Sequence, residues 1–146
     1  MQKNHQRNTE IVNRFYEAIA RGDLATARKV LRSDLEWVAS EPTGLWFGGT
    51  YQSACVVLNE VILPAYRWID GFRMEMERLL AQDDYVVAIG RFRGKMKTTG
   101  IELNAATTHV WTLRHGKAIR VHTYHSSARG SEVLGAKEQE IEKVAA

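Results

Sequence analysis

Cysteine and proline are nearly absent: the 146 residues hold one Cys and two Pro. A lone Cys55 cannot close an internal disulfide. That excludes the disulfide-stapled secreted class and points to a reducing, cytoplasmic setting. Cys55 itself reads as a small buried filler, not a nucleophile. With two Pro and 11 Gly, collagen-like and Pro-rich classes are excluded too. Long hydrophobic runs are missing. The longest, such as Ala54–Leu58, hold five residues, against the ~20 that a membrane helix needs. The segment Met1–Asn8 shows no apolar stretch of the kind a secretory leader carries. An excess of one charge is missing as well: 20 Lys and Arg face 17 Asp and Glu, a net +3. The densest basic cluster is Arg91, Arg93, Lys95 and Lys97. At period 2 it reads as one solvated strand face. Neither a nucleic acid nor a membrane is expected as a partner.

What is present is ordinary globular material. Apolar residues make up 45% and charged residues 25%, which excludes a disordered chain. A chain of this length forms one domain and buries roughly 70% of its unfolded surface. Ile11, Val12, Phe15, Ala18 and Ile19 recur at helical spacing and predict a helix over 8–21, capped at Asn8 or Thr9 and ended by Gly22. His5 lies outside that helix in a disordered-looking end. Asp23 then caps a second helix with Leu24, Ala27, Val30 and Leu31 on one side. Residues 35–39 alternate as a strand. Residues 40–52 are turn-rich yet aromatic. A third helix is predicted over 53–69, with Val57, Val61, Ile62 and Ala65 inside and a kink at Pro64. After Asp70-Gly71 the period falls to 2. Four strands are expected, at 72–81, 84–95, 102–114 and 117–127, with Arg114-His115-Gly116-Lys117 a tight hairpin link. The pattern is α+β: three N-terminal helices on a curved, mostly antiparallel sheet. A single domain over 1–146 is expected, its core at about 8–127, with the tail 128–146 a short helix or frayed.

Three segments carry a resemblance: Val12-Asn13-Arg14-Phe15-Tyr16-Glu17-Ala18-Ile19-Ala20-Arg21-Gly22-Asp23-Leu24; Leu35-Glu36-Trp37 with Gly48-Gly49-Thr50-Tyr51; and Thr108-His109-Val110-Trp111-Thr112-Leu113-Arg114-His115-Gly116-Lys117. Together they resemble the NTF2-like superfamily, the cone-shaped fold of ketosteroid isomerases, SnoaL-type cyclases and limonene epoxide hydrolases. The resemblance implies a pocket between helices and sheet. It does not carry over the usual catalytic groups. The isomerase Tyr and its two Asp positions fall at Phe15, Ala39 and Thr108. The epoxide hydrolase set falls at about Gly90, Phe92 and Thr123, and the last is also the acidic position of SnoaL-type cyclases. A proton shuttle needs a base and acids, and none stands at those positions.

Strand alternation laid on that fold turns Ile119, Val121, Thr123 and His125 inward, with Ala106, Thr108 and Val110 beside them. The expected pocket is lined by Phe15, Ile19, Trp37, Phe47, Tyr51, Val61, Phe72, Met74, Met76, Phe92 and Val121, with Thr108, Thr123 and His125 as its polar groups. His125 is the candidate catalytic group, because an imidazole titrates near working pH. Thr123 and Tyr16 are its candidate helpers. Tyr16 stands one residue, or 100° of helix, past the family Tyr. His109, Trp111, His122 and Tyr124 are expected on the outer sheet face, as a homodimer interface. His109 and His122 are then on neighbouring strands facing one way, but no carboxylate or Cys joins them, so no metal is expected. No cofactor motif is present. The expected ligand is a small hydrophobic molecule. Whether the chain turns it over, binds it without chemistry, or serves as an interaction dimer stays open at this point.

Overall fold

The structure, a computed structural model, describes residues 2–39 and 48–125, the side chains of Gln2, Lys3 and His125 excepted. Helix α1 (Gln2–Arg21) leads into α2 (Leu24–Val30) and strand β1 (Leu31–Ala39). Strand β2 (Gly49–Gln52) is followed by a helical segment in three parts: α3 (Ala54–Val57), a π-helical turn (Leu58–Ile62) and α4 (Leu63–Trp68). Four long strands complete the sheet: β3 (Ile69–Gln82), β4 (Tyr85–Met96), β5 (Glu102–Arg114) and β6 (Lys117–His125). The six strands run in the order β2-β1-β6-β5-β4-β3. Only β1 and β6 are parallel; the other neighbours are antiparallel.

Local chemistry explains the joints. Gly22, at φ +71°, closes α1: its N–H donates to Ile19 C=O and that of Asp23 to Ala18 C=O. Those two bonds are a Schellman pair, which a left-handed glycine makes cheaply. Asp23 then accepts from Thr26 N–H at 3.1 Å and caps α2. α1 begins at Gln2, six residues before the expected caps Asn8 and Thr9. Its first turns are polar all round, so periodicity carries no signal there. His5 is accordingly helical, and its Nε2 accepts from Asp83 N–H at 2.9 Å. The expected kink at Pro64 takes the form of the π-helical turn just before it, with Pro64 early in α4. Cys55 is exposed, not buried. The segment 40–47, with Trp46 and Phe47, and the tail 126–146 lie outside the described residues.

The sheet bends where β3 carries bulges, between Asp70 and Arg73 and between Met76 and Arg78. Gly90 faces the second bulge, and a Cβ there would lie 2.1 Å from Glu75 O. Only glycine admits that backbone approach.

The faces of β5 correct the sequence reading. Leu103, Ala105, Thr107, His109, Trp111 and Leu113 are buried, while Thr108 and Val110 alternate to the other side. The cause is a β-bulge. The hairpin starts with Arg114 opposite Lys117, turning through His115 (φ +52°) and Gly116 (φ +78°). The register slips between Thr112 and Leu113, leaving Ile119 as the extra residue of β6. Without that slip Val121 would face Val110 and Thr123 would face Thr108, as the plain alternation assumed. With it, Val121 faces Trp111 and Thr123 faces His109. One residue of slip turns a whole strand over. His109 and Trp111 are therefore interior, at 4% and 0% exposure, and leave the predicted outer interface. His122 and Tyr124 do lie on the outer face, their rings stacked at 4.3 Å. His109 and His122 thus lie on opposite faces.

Candidate functional site

α1 lies over the inner face of the sheet through a broad apolar arc. Ile11, Val12, Phe15, Tyr16, Ala18 and Ile19 are all buried. Phe15 and Tyr16 are adjacent, yet both fit an apolar stripe wider than 100°. No helix rotation is needed to bring Tyr16 inside. The rings of Phe15 and Tyr16 meet Trp111 edge-on, at centroid distances of 4.9 and 5.8 Å. Trp37, from β1, closes on Trp111 at 6.5 Å and on His109 at 6.2 Å. Each such aromatic pair adds about 0.5–1.5 kcal/mol beyond its area.

A chain of hydrogen bonds runs through this aromatic cluster. Trp111 Nε1–H donates to Tyr16 Oη at 2.8 Å. Tyr16 Oη lies 2.7 Å from His109 Nδ1. His109 Nε2 lies 3.4 Å from Thr107 Oγ1, and Thr107 Oγ1–H donates to Tyr124 C=O at 3.2 Å. An indole N–H only donates, so the phenol oxygen accepts there; the direction of its contact with His109 Nδ1 follows the tautomer of the imidazole. Burial pushes the Tyr16 phenol far above its ordinary pKa, against a smaller opposing effect of the Trp111 bond. Tyr16 is held as a neutral phenol.

The other expected site residues divide into three groups. Phe15, Trp37, Val61, Phe92 and Val121 are buried in the core. Phe72, Met74 and Met76, on β3, are half-buried, as are Tyr66 and Trp68 of α4. Phe72 bridges Tyr66 and Phe92 at 5.2 and 5.3 Å. Tyr51 is half-buried, and its hydroxyl donates to Gly48 C=O at 2.9 Å. Thr123 is 5% exposed, directly across from His109. Thr108 is a correction: it stands on the outer face, beside Ile89 and Tyr124. The inner positions next to it are Thr107 and His109, neither a carboxylate. The backbone of His125 pairs with Thr107, while its side chain lies outside the described residues, like Phe47. The sequence reading missed Thr107, His109 and Trp111 as interior groups.

The charged face of β4 is as expected. Arg93 pairs with Glu75 at 3.1 Å and Arg91 with Asn104 at 3.1 Å, all exposed. The Arg93 bond, with help from Arg73, holds the Glu75 carboxyl below the usual range. Such solvated pairs contribute little to stability. Among the described residues no three His, Cys, Asp or Glu gather closely enough to hold a metal. No described helix is long and apolar enough to cross a membrane.

Comparison with known proteins agrees with this architecture. The model of the SnoaL-like domain matches residues 12–121. An NTF2-like protein from Burkholderia thailandensis is 25% identical; the match covers 90% of this chain and 96% of that one, with a TM-score of 0.77. TerC, co-crystallised with polyporic acid, is 24% identical over 88% of this chain and 98% of its own, also at 0.77. A protein of Catenulispora acidiphila with a ketosteroid isomerase-like fold, in complex with trimethylamine, is 13% identical over 84% of this chain and 88% of its own, at 0.67. No curated protein matches.

Proposed function

The chain belongs to the SnoaL-like family of the NTF2-like fold, and from that premise we propose that it binds a small hydrophobic molecule between the helices and the inner sheet face. The observation that carries this reading is the uneven filling of that face. Around Trp111 the side chains are fully buried, but Phe72, Met74 and Met76 are only half-buried on the same side of the sheet. Apolar side chains left half-covered beside a finished core are what an apolar ligand would cover. The neighbour TerC, crystallised with polyporic acid, supports a ligand in this fold and supplies the first compound to try.

The reading extends to cofactor-free chemistry, with His125 as the proton-transfer group and Thr123 beside it. In a thermal-shift series with polyporic acid and other planar aromatics, the wild type gains stability in a dose-dependent way. Met74→Arg keeps the fold and loses at least about tenfold in affinity, since a guanidinium is costly on an apolar binding face. No stabilisation across the series, together with density showing the inner face filled by the chain's own side chains, sinks the reading. His125→Ala separates turnover from binding. Lost turnover at retained affinity makes His125 catalytic, and unchanged turnover removes it.

A second reading concerns the outer face. Val87, Val110, His122 and Val38 share one rung across β4, β5, β6 and β1, and Ile89, Thr108 and Tyr124 share the next. Tyr124 is 40% exposed. Charged residues flank this band: Glu36 and Arg120 on one side, Arg91 and Arg93 on the other. An apolar, aromatic centre with a charged rim suits a homodimer contact.

A further inference from the structure

The first turns of α1 run past its apolar stripe and reach over two hairpin turns. His5 Nε2 accepts from Asp83 N–H at 2.9 Å, which ties the helix to the β3–β4 turn. Leu113 N–H donates to Asp84 C=O at 2.8 Å, which ties that turn to the end of β5. Arg7 lies against the β5–β6 turn: its Nη2 is 3.3 Å from where a Cβ on Gly116 would stand. The helix and the two turns are thus held around one open cleft of about 430 Å³. That volume is within the ~300–1,000 Å³ of small-molecule sites. The polar walls are Asn4, Arg7, Asn8, Asp84, Arg114 and His115.

The charges of this cleft are not matched to one another. Arg21, Arg32, Arg73, Arg93 and Arg120 each pair with a carboxylate. Among the described residues, Arg7, Arg114 and Asp84 form no such pair, although all three line the same cleft. Two guanidiniums against one carboxylate leave the wall with a positive excess. A guanidinium offers its donors as a planar fork that fits a carboxylate. Asn4 and Asn8 stand one helical turn apart and add neutral amides beside them. The family match starts at residue 12, so Asn4, Arg7 and Asn8 lie outside it. None of the six polar residues belongs to the inner-face site described above.

We propose that this cleft binds a small amino dicarboxylate, its two carboxylates taken by Arg7 and Arg114 and its ammonium by Asp84. Such a molecule carries two negative groups and one positive, the complement of the wall. A simple oxyanion answers only the guanidiniums and leaves Asp84 facing a like charge. A plain dicarboxylate has the same defect. Asp84 is therefore the residue that selects among anions, by repulsion as much as by attraction. The backbone ties on both sides of the cleft keep its walls in place before the ligand arrives.

The test is a titration of the full chain followed by 1H–15N NMR, with L-glutamate, glutarate and inorganic sulfate as separate probes. L-glutamate is expected to shift the amides of residues 4–8 and 114–116 in a saturable way. Glutarate, which lacks the ammonium, should bind about tenfold more weakly, the loss expected for one charge-assisted contact. Asp84→Asn should erase the difference between the two. Arg7→Gln and Arg114→Gln should each weaken L-glutamate about tenfold. No saturable shift with L-glutamate overturns the proposal. Sulfate acting as strongly as L-glutamate also overturns it, because the cleft then attracts a counterion only. Unchanged affinity in both arginine variants overturns it as well. The wild-type comparisons need no variant to fold. Failure here leaves the inner-face reading standing, since polyporic acid tests that reading separately.

Discussion

Tyr16→Phe removes one oxygen atom from the centre of the molecule, and its cost can be worked from the contacts. Tyr16, His109 and Trp111 are 6%, 4% and 0% exposed. Without the hydroxyl, Trp111 Nε1–H loses its acceptor at 2.8 Å and His109 Nδ1 loses its hydrogen-bond partner at 2.7 Å. Each buried partner left unpaired costs about 1–3 kcal/mol. Two effects work against the full sum. Phe no longer buries a hydroxyl, and the imidazole can change tautomer. The ring itself stays, so almost no cavity forms. The net expectation is about 2 kcal/mol of lost stability. For a chain of this size that lowers Tm by roughly 6 °C. Urea unfolding followed by circular dichroism reads it as a lower midpoint at unchanged slope.

A double-mutant cycle with Trp111→Phe sharpens the test. Trp111→Phe creates a cavity, but the cycle subtracts it. If the hydroxyl matters through Trp111, the Tyr16→Phe cost shrinks by about 0.5 kcal/mol or more in that background. A single-variant change below about 0.5 kcal/mol, or strictly additive costs, refutes the hydrogen-bond chain as drawn.

Three further predictions follow from other parts of the fold. Gly90→Ala places a Cβ 2.1 Å from Glu75 O and 2.6 Å from Met76 Cα; because both are backbone atoms, about 3 kcal/mol is expected to be lost, and a urea midpoint matching the wild type would show that the bulge has another cause. Burial pushes the Tyr66 phenol up to about 12 while its hydroxyl donates to Ile19 C=O. Its folded-state value is thus raised above the unfolded ~10, so stability is constant below about pH 10 and falls as the pH rises towards 12. Tyr66→Phe should make that fall shallower, and parallel urea-midpoint curves between pH 8 and 11 would count against it. Val110→Arg puts a charge in the middle of the outer apolar band and should convert a dimer to monomer in light scattering at matched concentration; a monomeric wild type, or a dimer that survives the change, removes the outer-face interface.

Most of the fold was legible because its signals are local. The helical stripe of α1, the Gly22-Asp23 joint and the change of period after Gly71 each follow from neighbouring residues. What lacked a local signal was lost. The first turns of α1 are polar on every side, so only contacts such as His5 with Asp83 mark their place. β2 is four residues long and defined by its pairing with β1. That Phe15 carries no phenol and Ala39 no carboxylate was also legible, since it requires only knowing which residues stand there.

The interior of the site was not legible, and the reason is the composition of β5. Ala105, Thr107, His109 and Trp111 form one face; Ala106, Thr108, Val110 and Thr112 form the other. Each has a small residue, then Thr, then a larger group. Periodicity cannot choose between two faces so alike. The choice is made by Ile119, one unpaired residue in β6 that shifts the register below the hairpin. A clue was present: Trp111 is the largest side chain of the segment, and turning it outward leaves it uncovered unless a partner chain is assumed. Ranking the faces by side-chain volume instead of polarity would have placed Trp111 inside. It would have taken His109 with it, two residues away on the same face. Only then does the hydroxyl of Tyr16, itself a core residue by spacing, acquire a partner. The polar centre of this protein is thus a consequence of a single bulge, and a deletion of Ile119 should redirect β5 more severely than any substitution on its surface.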